Sequence, residues 1–244
     1  MATYESHPQP RLVGVDRATA WLTEGWRVFV AAPGVWVAIG VVFMMIYLLC
    51  NMVPILGGIA STLLFPVLAA GLLECSRIVS AGGVLQFDQM FAGFRRNTGN
   101  LVMVGLLTFA AIAAISAIAF AIVFVGGGAG TLAAIKDGTT ASAGIGLALA
   151  SLFFGALVFL LFLLPLTMAL WFAPALVMFD GNAPVDAMKN SFKGCMHNWL
   201  VLSIYGILLF VLTLVAIIPF GLGLLVLVPV ATASVYISYR DIYH

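Results

Sequence analysis

The sequence predicts an all-α integral membrane protein with six transmembrane helices, and three observations support this fold class. Of its 244 residues, 64% are apolar and only 8% are charged, whereas a soluble domain carries about 25% charged residues. Six apolar runs are each long enough to cross a hydrocarbon core about 30 Å thick. Nine of the ten lysines and arginines fall in alternate connecting segments. A water-soluble fold is excluded, because a chain of this length could not bury so much apolar surface.

The predicted spans follow from the apolar runs taken in chain order. They cover residues 33–52, 55–79, 101–125, 143–179, 199–218 and 220–239. The fourth run is too long for one vertical crossing at about 1.5 Å per residue, so we expect it to tilt, bend or protrude. Pro165 and Pro174 are placed to bend it. Residues 126–142 are predicted to form a small polar loop, in which the glycine run is interpreted as a flexible turn and, less favourably, as a helix-contact motif.

The basic residues predict the orientation of the chain. Lysine and arginine mark the cytoplasmic side of a membrane protein when they are concentrated in short connecting segments. Only Lys136 falls on the other side in this arrangement, so both termini are expected to be cytoplasmic. The nine residues on the predicted cytoplasmic side are Arg11, Arg17, Arg27, Arg77, Arg95, Arg96, Lys189, Lys193 and Arg240.

A threefold internal repeat is the most informative pattern in the sequence. Phe29, Phe94 and Phe192 occupy one register, each at the end of a short amphipathic stretch before an odd-numbered span. Each even-numbered span contains an apolar-apolar-proline triplet, which ends at Pro66, Pro165 and Pro229. Each unit is thus an interfacial amphipathic helix followed by two spans. Because such units cannot bury their apolar faces alone, we expect them to pack as a pseudo-threefold bundle.

The repeat also gives the predicted domain organisation. Residues 1–14 form a polar N-terminal tail, and residues 15–244 form a single membrane domain with units at about 15–83, 84–181 and 182–244. Asp88 and Asp186 are predicted to cap the interfacial helices that they begin. Gly82 and Gly181 are predicted to end the helices that precede them.

The stretches GWRVFVAAPGVW (25–36), LLFPVLAAGLLECSRIVSAG (63–82) and FAGFRRNTGNL (91–101) carry a resemblance. The pattern resembles a family of uncharacterised bacterial six-span inner-membrane proteins. Its three-unit form is similar to the membrane domain of some glycerophosphodiester phosphodiesterases. The resemblance covers nearly the whole chain and implies the fold, but its apolar, glycine and proline motifs imply no catalytic residues.

Glu74 is the only carboxylate inside a predicted span. Ionisable groups within a membrane are candidates for proton transfer or cation binding. Glu74 lies three residues before Arg77, however, near the end of its span. The spacing favours a Glu74–Arg77 ion pair that reaches the interface. An intramembrane polar site formed by Glu74 and Arg77 stays the alternative.

Four basic residues on the interfacial stretches, Arg95, Arg96, Lys189 and Lys193, are candidates for contact with anionic lipid headgroups. Simple topological marking by positive charge is the competing interpretation, and the two are compatible. The net charge of +1 does not favour nucleic acid as a partner. The three cysteines and three histidines have no metal-ligand spacing, so no metal or other cofactor is expected.

Two classes of function agree with these patterns. The first is a non-enzymatic inner-membrane protein that acts as a scaffold, an accessory subunit or a lipid-homeostasis factor. Its expected partners are membrane lipids, with another membrane protein or a second copy of the chain as further candidates. The alternative is a small transporter or channel for a solute or ion, which usually has ionisable residues at mid-membrane. An intramembrane enzyme is not expected, because the spans contain no paired catalytic groups.

Overall fold

The computed structural model describes residues 9–53, 56–136 and 141–244, and every regular element in this part of the chain is a helix. In chain order the elements are α1 (Arg17–Ala31), α2 (Pro33–Asn51), α3 (Leu56–Ser80), the 3₁₀ helix η1 (Phe87–Phe94), α4 (Thr98–Lys136), α5 (Ala141–Trp171), α6 (Ala173–Asp180), α7 (Pro184–His197), α8 (Trp199–Ile217) and α9 (Leu224–Tyr243). Six stretches are long and apolar enough to cross a membrane: Pro33–Asn51, Leu56–Ser80, Thr98–Gly128, Ile145–Asp180, Trp199–Ile217 and Leu224–Tyr243. The prediction of an all-α protein with six long apolar helices is confirmed.

The chain divides into two compact units. The first contains the described residues up to Leu106 together with Met168–His244, and the second contains those from Leu107 to Thr167. The predicted polar tail falls largely outside the described residues, as do residue 55 at the start of the second predicted span and residues 137–140 of the predicted loop. The single domain at 15–244 and its three repeat units stay predictions.

The core of the first unit forms around α3 and α9. In an apolar 18-residue stretch of each helix, 44% of the residues of α3 and 50% of those of α9 are buried, against 17% in α2 and in α8. Pro66 and Pro229 lie inside them, as the aligned triplets require. Trp21 of α1 is fully buried and packs edge-to-face on Tyr205 of α8, with ring centroids 5.6 Å apart. The most buried surface therefore belongs to the two helices whose ends carry Arg77 and Arg240.

The fourth apolar run is interrupted at Phe172. Helix α5 ends at Trp171, and α6 begins at Ala173 with Pro174 in its first turn. Proline has no N–H and disfavours helical geometry in the residue before it. The predicted bend is therefore found next to Pro174, whereas Pro165 lies inside the continuous helix α5.

Short helices precede the odd-numbered spans, as the sequence indicates, but two details of their ends differ. Neither Asp88 nor Asp186 makes a capping hydrogen bond, because each already lies in the first turn of its helix. In η1 the cap is Gln86, which forms a reciprocal capping box with Gln89. The helix ends are as predicted: Gly82 and Gly181 adopt left-handed φ values of 79° and 67°.

The predicted polar loop at 126–142 is wrong over its first eleven residues, because α4 continues to Lys136. Within the second unit its glycines contact α5. A Cβ at Gly126 would lie 2.8 Å from the Cβ of Ser151, and one at Gly130 would lie 2.7 Å from that of Leu147. Small residues of this kind let helices approach closely in a membrane. The helix-contact interpretation is therefore correct, and the flexible turn is not.

Candidate functional site

Glu74 lies on the buried side of α3, near the end of the helix. Only 6% of the residue is exposed. A charged carboxylate at such a position is strongly destabilising unless it is paired and hydrogen-bonded. Its surroundings therefore decide whether it is a structural group or part of a site.

Two arginines surround this carboxylate. Arg77 donates from Nε to Oε2 at 2.8 Å and from Nη2 to Oε1 at 2.7 Å. Arg96 has its Nη1 3.7 Å from Oε1. The guanidinium of Arg77 also lies over the ring of Phe179, 5.9 Å from the centroid. The Glu74–Arg77 pair expected from the spacing is thus present, with Arg96 as a second partner. A role for Glu74 in proton transfer or cation binding stays a prediction.

An open cleft of about 320 Å³ lies between α3 and η1 beside this pair. We call it the α3–η1 cleft. It is lined by Glu74, Arg77, Ile78, Gln89, Ala92, Arg95 and Arg96. Arg95 pairs with Asp88 at 3.0 Å, and both side chains are more than half exposed. The cleft therefore has a basic rim above a single buried carboxylate.

Two glycines bring the walls of this cleft together. A Cβ at Gly71 of α3 would collide with the carbonyl oxygen of Met90, and a Cβ at Gly93 of η1 would collide with that of Val67. The backbones of α3 and η1 are thus in direct contact, which only glycine allows at this distance. This contact holds the turn at Arg95 and Arg96 against the end of α3.

The turn itself is fixed by Asn97. This residue has a φ of 54°, which asparagine tolerates better than most residues. Its Nδ2 donates to the carbonyl oxygen of Val177 in α6 at 2.8 Å, and Thr98 Oγ1 donates to that of Gly93 at 3.0 Å. Arg96 is therefore held between two anchored points of the backbone.

A second open cleft, also of about 320 Å³, lies between α1, α9 and the end of α3. We call it the α1–α9 cleft. It is lined by Glu24, Arg27, Val28, Ala31, Val79, Ser80, Ile237 and Arg240. Arg240 has its Nη2 3.6 Å from Oε2 of Glu24. Sequence reasoning used Arg27 and Arg240 only as topological markers and missed this cleft. The spacing Glu24-x-x-Arg27, which repeats that of Glu74-x-x-Arg77, is the signal that was available.

Beside the α1–α9 cleft, Asp241 joins α9 to α1. Its Oδ2 accepts from Nε of Arg17 at 2.7 Å and from Nε1 of Trp21 at 2.8 Å. Glu24 lies 3.0 Å from Nη2 of Arg17. Burial acts to lower the pKa of Arg17, but the hydrogen bonds and charges of Asp241 and Glu24 outweigh it and raise that pKa above its ordinary value. The guanidinium of Arg17 is therefore a permanent charge that holds α1 on α9.

Lys189 and Lys193 are exposed on α7 and line neither of these clefts. The structure brings Arg95 and Arg96 together with Arg77, and it does not bring the two lysines into that group. Tyr243 donates to the carbonyl oxygen of Asn190 at 2.8 Å, which ties the end of α9 to α7 between the lysines. The nine residues predicted on one side all belong to the first unit, and contacts among α1, α3, η1, α7 and α9 join the segments that carry them. We call this region, with Arg11, Arg17, Arg27, Arg77, Arg95, Arg96, Lys189, Lys193 and Arg240, the basic end.

The described residues contain no group of three or more His, Cys, Asp or Glu side chains that is placed to hold a metal ion. Cys75 and Cys195 are buried thiols. Burial raises the pKa of the Cys195 thiol to about 12, and its Sγ donates to the carbonyl oxygen of Met168 at 3.4 Å. A thiol in this state is protonated at neutral pH and is a packing group rather than a nucleophile.

Comparison with known proteins gives one informative relative. No family model matches the chain, and no solved structure matches it. A protein of Burkholderia thailandensis, named a probable inner membrane protein, is 31% identical over an alignment of 258 positions, and the alignment covers 96% of this chain and 92% of the relative. With six helices long and apolar enough to cross a membrane, the chain belongs to the same family as this probable inner membrane protein.

Proposed function

We propose that this protein is a non-enzymatic inner-membrane protein that binds anionic lipids at its basic end and acts in membrane organisation or lipid homeostasis. The observation that carries the proposal is that nine basic residues lie on joined segments of the first unit. Each lysine or arginine near an anionic membrane surface contributes about 1 kcal/mol of attraction. Arginine adds a planar fork of donors that matches a phosphate group.

The finer architecture belongs to the same proposal. We infer a cytoplasmic location for both termini, because the basic end would then face the side on which positive charge is retained. The three repeat units and their pseudo-threefold packing are supported by the short helices α1, η1 and α7, each of which precedes an odd-numbered span. The similarity of this pattern to the membrane domain of some glycerophosphodiester phosphodiesterases is part of the proposal and carries no activity with it.

Lipid retention tests the function directly. The full chain is extracted into native nanodiscs, and the co-purified lipids are quantified by mass spectrometry. We expect phosphatidylglycerol and cardiolipin to be enriched over the bulk membrane. Replacing Arg95, Arg96, Lys189 and Lys193 together by Gln should reduce this enrichment. Each of the four is also replaced singly, and Lys136→Gln is the matched control for these single variants, because it removes one positive charge outside the basic end.

Three results would count against the proposal. A lipid profile identical to that of the bulk membrane would remove the lipid-binding role. A stoichiometric second membrane protein in the same preparation would favour an accessory subunit instead. Flux of an ion or solute through liposomes, abolished by Glu74→Gln, would favour the transporter or channel alternative.

A further inference from the structure

The α3–η1 cleft has the features of a specific phosphate site. We propose that it binds the phosphodiester of one anionic lipid molecule, with Arg77, Arg96 and Gln89 as hydrogen-bond donors. This inference rests on the proposed lipid-binding function and adds to it a single defined site. The general attraction of a basic surface for lipids would need no such site.

Uncommitted donors converge on this cleft. Arg77 uses Nε and one Nη2 hydrogen on Glu74, so the Nη1 group of its five-donor fork is left over. Arg96 approaches Glu74 only to 3.7 Å, which is longer than a hydrogen bond. Gln89 accepts from the backbone N–H of Gln86 through Oε1 at 3.0 Å, which leaves its amide nitrogen as a donor. Three side chains therefore keep donor capacity at the cleft.

The local charge matches a monoanion. Arg77, Arg95 and Arg96 are countered by Glu74 within the cleft and by Asp88 on its rim. One positive charge is left over, which is the charge that a phosphodiester neutralises. Helix α4 begins at Thr98, two residues after Arg96, and the start of a helix adds a partial positive charge. The cleft therefore favours an anion of single charge over a neutral headgroup.

Glu74 acts as a positioning residue for this site. Its bidentate bond fixes the guanidinium of Arg77, and Phe179 supports the same group from its ring face. A preorganised donor loses less conformational freedom when it binds a ligand. The buried carboxylate thus serves the cleft as the fixed partner of Arg77.

The surroundings of the cleft favour a lipid over free phosphate. Ile78 and Ala92 form part of its wall, and Phe87 and Phe94 at the two ends of η1 are 42% and 43% exposed. Exposed aromatic side chains on a short helix beside an apolar span are typical of the membrane interface. A headgroup in the cleft would therefore have apolar surface nearby for its acyl chains.

Native mass spectrometry of the full chain in detergent, titrated with phosphatidylglycerol, tests the site. We expect one phosphatidylglycerol to bind more tightly than the rest. Arg96→Gln should weaken this first binding step by about tenfold, the effect of losing a charged hydrogen bond. Arg96 is largely exposed, so this variant should fold. Lys193→Gln is the matched control, because it removes the same charge from the basic end outside the cleft.

The outcomes separate the site from the general function. If Arg96→Gln and Lys193→Gln weaken binding equally, lipids bind diffusely, and the site is refuted while the proposed function stands. If wild-type protein binds no phosphatidylglycerol, both fail. Inorganic phosphate serves as a competitor. If the first lipid is displaced only at the phosphate concentration that displaces all bound lipids, the cleft is a lipid site. Selective displacement at micromolar phosphate would overturn the lipid assignment in favour of a free-phosphate site.

Discussion

At the residue scale, one serine explains the break in the fourth apolar run. In a regular α-helix the N–H of Phe172 would donate to the carbonyl oxygen of Met168. Here it donates to Oγ of Ser191 at 2.9 Å, and the same hydroxyl donates to Met168 at 2.7 Å. Ser191 is fully buried. Its hydroxyl is therefore inserted into the helix ladder, which is a recognised cause of a sharp helix bend.

We expect Ser191→Ala to destabilise the protein by about 1–3 kcal/mol, because the buried N–H of Phe172 would lose its partner and the carbonyl of Met168 would keep only the weak thiol donor of Cys195. The measurement is thermal unfolding in detergent, followed by circular dichroism. Ser203→Ala on α8 is the control, since Ser203 is exposed and its replacement should have little effect. Equal melting temperatures for the two variants would mean that the hydroxyl of Ser191 does not stabilise the bend.

The same residue marks a limit of prediction from sequence. Pro174 predicts a bend from the sequence alone, because proline disfavours helical geometry in the residue before it. The partner that satisfies the broken ladder lies nineteen residues away on another helix, and no local pattern points to it. The Glu74–Arg77 pair was predictable for the opposite reason, since its spacing lies within one turn of α3. Arg96, the second partner of Glu74, comes from another element and was not predictable as such.

At the element scale, the packing of η1 on α3 decides the geometry of the α3–η1 cleft. The sequence predicts one helical face from Phe87, Met90, Phe91 and Phe94, which is an α-helical period. The structure has a 3₁₀ helix, in which residues three apart align. Met90 and Gly93 are buried, whereas Phe87 and Phe94 are exposed. The amphipathic character was thus predictable, but the period was not, because the close glycine contact with α3 selects it.

We expect Gly93→Ala to push η1 away from α3, because the new methyl group would collide with the backbone of Val67. Overpacking of this kind destabilises by about 1–3 kcal/mol. It should also reduce phosphatidylglycerol retention, since Arg95 and Arg96 would move with η1. Thermal unfolding and lipid mass spectrometry on the same sample measure both effects.

Gly99→Ala is the matched control for this prediction. A Cβ at Gly99 would meet nothing within 4 Å, and alanine is favoured over glycine within a helix. This variant should therefore be at least as stable as the wild type and should retain lipid normally. Normal stability and retention in Gly93→Ala would show that the cleft does not depend on the contact between the two backbones.

At the scale of the whole molecule, hydrophobicity was a better guide than local propensity. Long apolar runs predicted six helices, because lipid leaves the backbone no other partner for its polar groups. The loop predicted at residues 126–136 was wrong because it rested on local propensity. Glycines are poor helix formers in water, but within the second unit Gly126 and Gly130 of α4 contact α5. Close packing of helices outweighs propensity there, and a sequence read one segment at a time does not reveal the facing helix.

Topology is the whole-molecule property on which the lipid proposal depends. Reporter fusions after Asn51, Lys136 and Pro219 should read periplasmic, and fusions after Gly82, Gly181 and His244 should read cytoplasmic. The reason is the charge asymmetry: nine of ten basic residues lie on joined segments of the first unit, and positively charged loops are retained in the cytoplasm. Paired alkaline phosphatase and fluorescent-protein fusions at each position give opposite signals and so control for expression.

Each pattern of reversed signals has a distinct meaning. Reversal at all six positions would keep the helices and their packing but turn the basic end toward the periplasm. The α3–η1 cleft would then have to take its lipid from the outer leaflet of the inner membrane. Reversal only at Lys136 would mean that the hairpin of α4 and α5 does not span the membrane. The four remaining spans would still carry both termini to the same side, because their number is even. The α3–η1 and α1–α9 clefts would then stay on the same side of the membrane, and only the second unit would need a new role.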